Sequence, residues 1–295
     1  MKILLTGCNG QLGHQLNIAL KTKWDVIPLD IDEMDLTNKN AIQTVINNHK
    51  PDLIIHPAAY TQVDLAETEK DIAFKVNADA PFFIADEAKK LNIPLIHIST
   101  DFIFDGFKKE PYLEDDPAKP LGVYGQSKME GEDNVINSGV DYIIFRTSWV
   151  YGSYGKNFYN TIKRLAIDKD ELKVVNDQIG APTSTLYLSS VISEIIDQIF
   201  EHKKLTIKEI KGVYHLTCGG SASWFDFAFE IAKDLKEKEL SKCMVLPIPT
   251  TQYPTPAKRP KYSVLDNHKI NQVFGVIQTP WIEALKDVIK KDQNN

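Results

Sequence analysis

The 295-residue chain has only three cysteines, Cys8, Cys218 and Cys243, far apart in sequence. They are too few and too scattered for a disulfide framework or a cysteine-rich zinc site, which fits a reducing cytoplasm and idle thiols. The seven histidines show no HxxxH or related spacing, so no metal is expected. Arginine is scarce: of 34 basic residues only Arg146, Arg164 and Arg259 are arginine, leaving 34 − 3 = 31 lysines. The net charge is −6 and no long basic run occurs, which argues against nucleic acid as the main partner. No apolar run approaches the length of a membrane span, and the opening MKILLTG turns glycine-rich too soon for a signal peptide. No membrane partner is expected. The chain also lacks internal repeats and low-complexity segments.

What is present is an ordinary globular composition, 43% hydrophobic and 25% charged, arranged as alternating short apolar runs and helical patterns. KILLT (2–6), WDVIPLD (24–30), DLIIHPAAY (52–60), PLIHIST (94–100) and DYIIFRTSW (141–149) read as strands. Helical patterns over 11–21, 38–49, 71–91 and 125–138 separate them. Continuous apolar strands alternating with helices predict an α/β, doubly wound parallel sheet of the Rossmann type, with a smaller C-terminal substrate-binding lobe. The expected division is 1–148, with 186–218 returning to it, against 149–185 and 219–295. The later half carries helical patterns over 157–167, 186–200 and 224–240, and strands at 172–184 (running into a turn-rich loop) and 212–218. LPIPTTQYPTPAKRP (246–260), with five prolines, predicts an irregular ordered loop lining a site. The acidic cluster Glu114, Asp115, Asp116 reads as a solvated turn.

TGCNGQLG (6–13) follows the first strand and opens the first helix, with Gly7, Gly10 and Gly13 in a GxxGxxG spacing. Glycines there let the backbone turn tightly and let a pyrophosphate approach free helix N-terminal amides. Such a loop alone is equally a tight strand-to-helix turn. Asp30, ending the second strand, adds a carboxylate suited to the adenine ribose hydroxyls. Together they point to a nicotinamide cofactor. An acid at this point and no nearby arginine favour NADH slightly over NADPH.

In YGQSK, Tyr124 stands four residues before Lys128, which puts both on one helix face. With 11 tyrosines and 31 lysines in 295 residues, about one such pair arises by chance, and a second exists: Tyr159 and Lys163 in YNTIK. Context separates them. Thr100 ends a predicted strand, where ligands of an open parallel sheet gather. A free phenol, near pKa 10, is a weak acid at neutral pH. A cationic lysine one turn away is expected to lower it, and about three units would be roughly 4 kcal/mol.

With TGCNGQLG in place, HPAAYTQVDLAE (56–67), STDFIFDG (99–106), VYGQSKMEGE (123–132), FRTSWVYG (145–152), NDQIGAPT (176–183) and TPAKRPKYS (255–263) complete a pattern that spans nearly the whole chain. It resembles the extended short-chain dehydrogenase/reductase superfamily, and within it the rhamnose-reductase branch. The resemblance implies NAD(P)H-dependent reduction of the 4-keto group of dTDP-4-dehydro-L-rhamnose to dTDP-L-rhamnose, a step of cell-surface polysaccharide biosynthesis. It puts the catalytic groups on Thr100, Tyr124 and Lys128, with Lys128 also on the nicotinamide ribose of the cofactor. It puts Gly10, Gln11 and Leu12 at the pyrophosphate, and Asp30, Asp35 and Leu36 at the adenosine. Ala58, Ala59 and Tyr60 fall beneath the cofactor, and Thr100, Asp101 and Trp149 on the sugar.

From the residues alone, Trp149 is a core aromatic by default. Asn157 and Arg259 are weaker candidates for the substrate. Arg259 reads equally as a clamp for the nucleotide diphosphate and as a surface charge. Three positions depart from the branch pattern: His56 and Pro57 replace Asn-Ala, and Phe102 replaces a common tyrosine. Some relatives hold Mg²⁺ between subunits through carboxylates. Two matching positions here are Gln15 and Leu186, so no metal is expected and the homodimer is left open. Two other functions compete: a sugar-nucleotide epimerase or dehydratase that cycles a retained NAD, and a non-catalytic regulatory subunit resembling the methionine adenosyltransferase β subunit.

Overall fold

The computed structural model describes residues 1–293. The strands are β1 (Lys2–Leu5), β2 (Asp25–Pro28), β3 (Leu53–His56), β4 (Leu95–Thr100), β5 (Tyr142–Thr147), β6 (Val150–Tyr151), β7 (Glu171–Val175), β8 (Ile179–Gly180), β9 (Thr183–Ser184), β10 (Gly212–His215), β11 (Ala222–Ser223) and β12 (Met244–Ile248). The helices are α1 (Gln11–Leu20), α2 (Lys39–His49), α3 (Val63–Ala66), α4 (Lys70–Phe74), α5 (Ala80–Lys90), α6 (Val123–Asn137), α7 (Phe158–Asp168), α8 (Thr185–Ile196), α9 (Ile207–Ile210), α10 (Trp224–Glu237), α11 (His268–Phe274) and α12 (Trp281–Gln293).

Six strands form one parallel sheet in the order β10-β5-β4-β3-β1-β2. Alternate residues of β1 face opposite layers, because strand side chains alternate. Ile3 and Leu5 join α1 and α8 in one core cluster. Leu4 faces α2, α5 and α6 in another. Burial on both faces is why the inner strands β1, β3, β4 and β5 read as apolar runs. The chain order reverses between β1 and β3, and a cleft opens at the carboxyl ends of the strands there, the usual ligand position in such sheets. A third cluster, including Tyr159, Ile162, Phe227, Ile231, Trp281 and Leu285, packs α7, α10 and α12 around the parallel pair β7–β12.

Three elements differ from the sequence expectation. The helical stretch 71–91 is interrupted by a π turn at Lys75–Asp79. The turn carries Asn77 inward. Its amide accepts from Tyr60 N at 2.8 Å and donates to Tyr60 O at 3.0 Å and to Ser127 Oγ at 3.1 Å. Prolines notwithstanding, 244–248 is a strand; it pairs on one side only, where Pro247 loses nothing by lacking an N–H. Glu114 is not merely solvated. Its carboxylate accepts from His215 N at 3.0 Å, and its carbonyl accepts from Arg146 at 3.0 Å. Arg146 is in turn buried against Glu132 of α6, with bonds of 3.0 and 2.7 Å.

Burial holds the imidazoles of His56 and His215 down to about 3, and that of His97 well below its usual value. Each stays neutral in the fold but takes up a proton when unfolded below about pH 6.5. Their stabilisation is therefore complete above that pH and lost as pH falls toward 3. Burial pushes Asp101 up to about 7, and this works in the opposite sense and offsets about one histidine. The expected net loss is more than about 1.4 kcal/mol per pH unit below pH 6.5. Urea unfolding at about pH 7.5 and about pH 5 measures it; equal stabilities would contradict the assignment of neutral buried histidines.

Candidate active site

The cleft has a volume of about 1020 Å³. One end is the loop between β1 and α1. No side chain caps α1, whose N-cap is Gly10, so its first amides are left to a ligand. A Cβ at Gly13 would lie 2.0 Å from Gly7 O, so only glycine allows this close turn. Gln11 Oε1 is buried here without a partner among the described residues. Asp30 accepts from Asn9 N at 2.8 Å, tying the end of β2 to the loop. Gly7, Leu12, Asp35 and Leu36 complete this wall, and Ala58, Ala59 and Tyr60 line the cleft beyond β3. Among the described residues no three His, Cys, Asp or Glu side chains converge on a common metal position. Gln15 accepts from Lys291 at 3.1 Å.

At the centre stand Thr100, Asp101, Tyr124 and Lys128, all lining the cleft. Helix α6 begins at Val123, two residues earlier than the pattern predicts, so Tyr124 and Lys128 lie on successive turns of its first half. Lys128 is 2% exposed, and its Nζ donates to Ile98 O at 2.7 Å. Burial lowers it to about 8, against the pull of Glu132. Burial pushes the Tyr124 phenol up to about 12; a hydrogen bond with Thr100 opposes the rise and the Asp101 charge adds to it. The expected lowering of this phenol by Lys128 is therefore not found: burial is the largest cause and raises it, and the ammonium is engaged by a backbone carbonyl. Thr100 also donates to Asp101 Oδ1 at 3.2 Å.

The far wall comes from the smaller lobe. Trp149, at φ +47, stacks on Trp224 with ring centroids 3.5 Å apart. A Cβ on Gly180 would meet the Trp149 ring at 2.4 Å, so glycine makes room for the indole. Arg259 lines the cleft and grips Asp64 through two bonds of 3.1 and 2.8 Å, joining the 246–260 segment to α3.

The family model described as the RmlD substrate binding domain matches residues 1–294. A dTDP-4-dehydrorhamnose reductase of Aggregatibacter actinomycetemcomitans is 42% identical over 291 residues, covering 97% of this chain and 98% of that protein. The chain belongs to the dTDP-4-dehydrorhamnose reductase family. The crystal structure of a family member from Clostridium acetobutylicum superposes with a TM-score of 0.91 at 42% identity, over 99% of this chain and 100% of that one. A Bacillus anthracis dTDP-4-dehydrorhamnose reductase solved in complex with NADP gives 0.89 at 38% identity, over 98% and 99%.

Within this dTDP-4-dehydrorhamnose reductase fold, one candidate residue stands apart from the cleft. Asn157 is absent from its lining; its Oδ1 accepts from Asn160 N at 2.9 Å, capping α7, and its amide donates to Gly152 O at 2.9 Å. The second YxxxK pair is also remote. Tyr159 donates to Asp292 at 3.0 Å and Lys163 pairs with the same carboxylate, a tie between α7 and α12. Sequence reading missed Asn77, Phe158 and Trp224. The first hides in a π turn that helical periodicity does not reveal. The two aromatics, both lining the cleft, stand at the starts of helical patterns and carry no motif that marks them.

Proposed function

We propose that this protein reduces the 4-keto group of dTDP-4-dehydro-L-rhamnose with a reduced nicotinamide cofactor, giving dTDP-L-rhamnose. The observation that carries the reading is the convergence of Thr100, Tyr124 and Lys128 in one cleft with an uncapped glycine loop at its end. The relatives named above support the substrate.

The cleft fits the cofactor: free amides at α1, the glycine approach, and buried polar atoms in Gln11, Ser99 and Thr147 without partners among the described residues. Gly7, Gly10, Gln11, Leu12 and Gly13 would hold the pyrophosphate, Asp30, Asp35 and Leu36 the adenosine, and Ala58, Ala59 and Tyr60 the underside. When bound, it supplies the hydride to the sugar carbon. Tyr124 supplies the proton to the oxygen. With its phenol held near 12, Tyr124 carries that proton at neutral pH. Thr100, bonded to the same phenol, positions the carbonyl oxygen and limits where the proton goes. Lys128, charged below about 8, steadies the phenolate that results. Asp101 and Trp149 shape the sugar pocket. Arg259, aimed into the cleft from the 246–260 segment, clamps the nucleotide diphosphate, exchanging its bond to Asp64 for the stronger charge.

For the cofactor, NADH is the preferred donor. Asp30 and Glu33 stand together at the end of β2, Glu33 accepting from Asp30 N at 2.9 Å, and a 2′-phosphate there would meet carboxylates. The ratio of kcat/KM for NADH and NADPH tests this: at least about tenfold in favour of NADH is expected, and parity would contradict it. Tyr124→Phe is expected to lower kcat by about 100-fold or more while NADH still binds, as read by steady-state NADH oxidation and fluorescence titration. Unchanged turnover would remove Tyr124 as the proton donor.

A further inference from the structure

Beneath the cleft lies a buried polar row that the steps above do not use: Thr6, His56 and His97, each at most 1% exposed, ending at Lys128. Thr6 Oγ1 and His56 Nδ1 are 2.7 Å apart. His56 and His97 are register partners on β3 and β4, so their rings stack, with centroids 5.2 Å apart. His97 Nε2 lies 3.4 Å from Lys128 Nζ, whose other contact is Ile98 O. An ammonium has three donors. Ile98 O takes one, His97 Nε2 stands within reach of a second, and the third is left for the cleft that Lys128 lines.

We propose that His97 is a positioning residue: as a neutral imidazole accepting from Nζ, it fixes the Lys128 ammonium on the Ile98 carbonyl with its remaining N–H turned toward the cofactor and Tyr124. The proposal rests on the reading of Lys128 as the partner of Tyr124. An acceptor at Nε2 requires the His97 proton to sit on Nδ1. A charged ring is excluded here, because it would bury two cations 3.4 Å apart. Burial, Lys128 and His56 all act to keep His97 neutral. His56, braced by Thr6, backs the ring from behind.

The groups facing Lys128 are few. Glu132 and Tyr124 lie on α6 itself, and Glu132 is spent on Arg146 of β5. His97 comes from β4, His56 from β3, and Asp101 follows β4. Among the described residues no carboxylate touches the ammonium. A neutral acceptor gives it direction while leaving it able to lose a proton near 8. A carboxylate in its place would hold the charge to far higher pH.

The test is the pH dependence of kcat with saturating NADH and sugar nucleotide in wild type, His97→Leu and His97→Gln. Wild-type activity is expected to fall as pH rises through about 8. His97→Leu, which removes an acceptor from the ammonium, is expected to move that limb about one pH unit toward acid, while His97→Gln, which keeps a neutral acceptor, leaves it nearly in place. An unmoved limb in His97→Leu, or an equal shift in both variants, overturns the proposal. Should His97→Leu fail to fold, ¹⁵N NMR of the histidine rings in wild type and Lys128→Met gives the answer independently. The Nδ1–H tautomer and a displaced Nε2 resonance in Lys128→Met are expected; the Nε2–H tautomer overturns it. Full turnover in Lys128→Met would instead sink the reading of Lys128 itself, whatever the state of His97.

Discussion

The site depends on an ammonium buried against the end of a strand. Pairing of β3 with β4 stops at His56 and His97, while β4 continues to Thr100. Lys128 Nζ takes the Ile98 carbonyl in that overhang. The bond fixes α6 over the carboxyl edge of the sheet, and with it Tyr124 one turn earlier. It also fixes which backbone faces the cofactor, since the overhang carries Thr100 and Asp101. The Asn77 π turn locks the same helix from the other side through Ser127. Remove the ammonium, and α6 with its phenol loses this tie to the strand end that carries Thr100.

The cleft built on that anchor is dry enough to set the proton chemistry. Burial raises Tyr124 to about 12 and Asp101 to about 7, and lowers Lys128 to about 8. In water these groups would sit far from one another in proton affinity; here the lysine and the aspartate approach the working pH. The Trp149–Trp224 stack and the Arg259–Asp64 pair bring the smaller lobe over the same edge. This wall of the cleft is thus made by residues distant in sequence from Thr100, Tyr124 and Lys128.

Much of this was legible in the chain. Apolar runs separated by helical periods specify a parallel sheet buried on both faces, and a glycine loop after the first strand lies at one end of its cleft. Tyr124 and Lys128 became distinguishable from Tyr159 and Lys163 once Thr100 was placed at a strand end. The rest was hidden for physical reasons. A π turn inserts no unusual residue, so Asn77 left no trace in a helical pattern. Pro247 forbids an N–H, not a one-sided strand. Asn157 is a helix cap, a role its sequence neighbours permit as readily as sugar binding. The direction of the Tyr124 shift follows from desolvation, which spacing cannot report.

The central claim is that this cleft delivers hydride to the C4 carbon of a 4-keto sugar nucleotide. The most direct measurement is mass spectrometry of the product formed from dTDP-4-dehydro-L-rhamnose and NADH carrying deuterium at the transferring position of the nicotinamide. The account predicts one deuterium, located at C4, with one NADH oxidised per sugar reduced. A product without deuterium, or sugar turnover without net NADH oxidation, would contradict it.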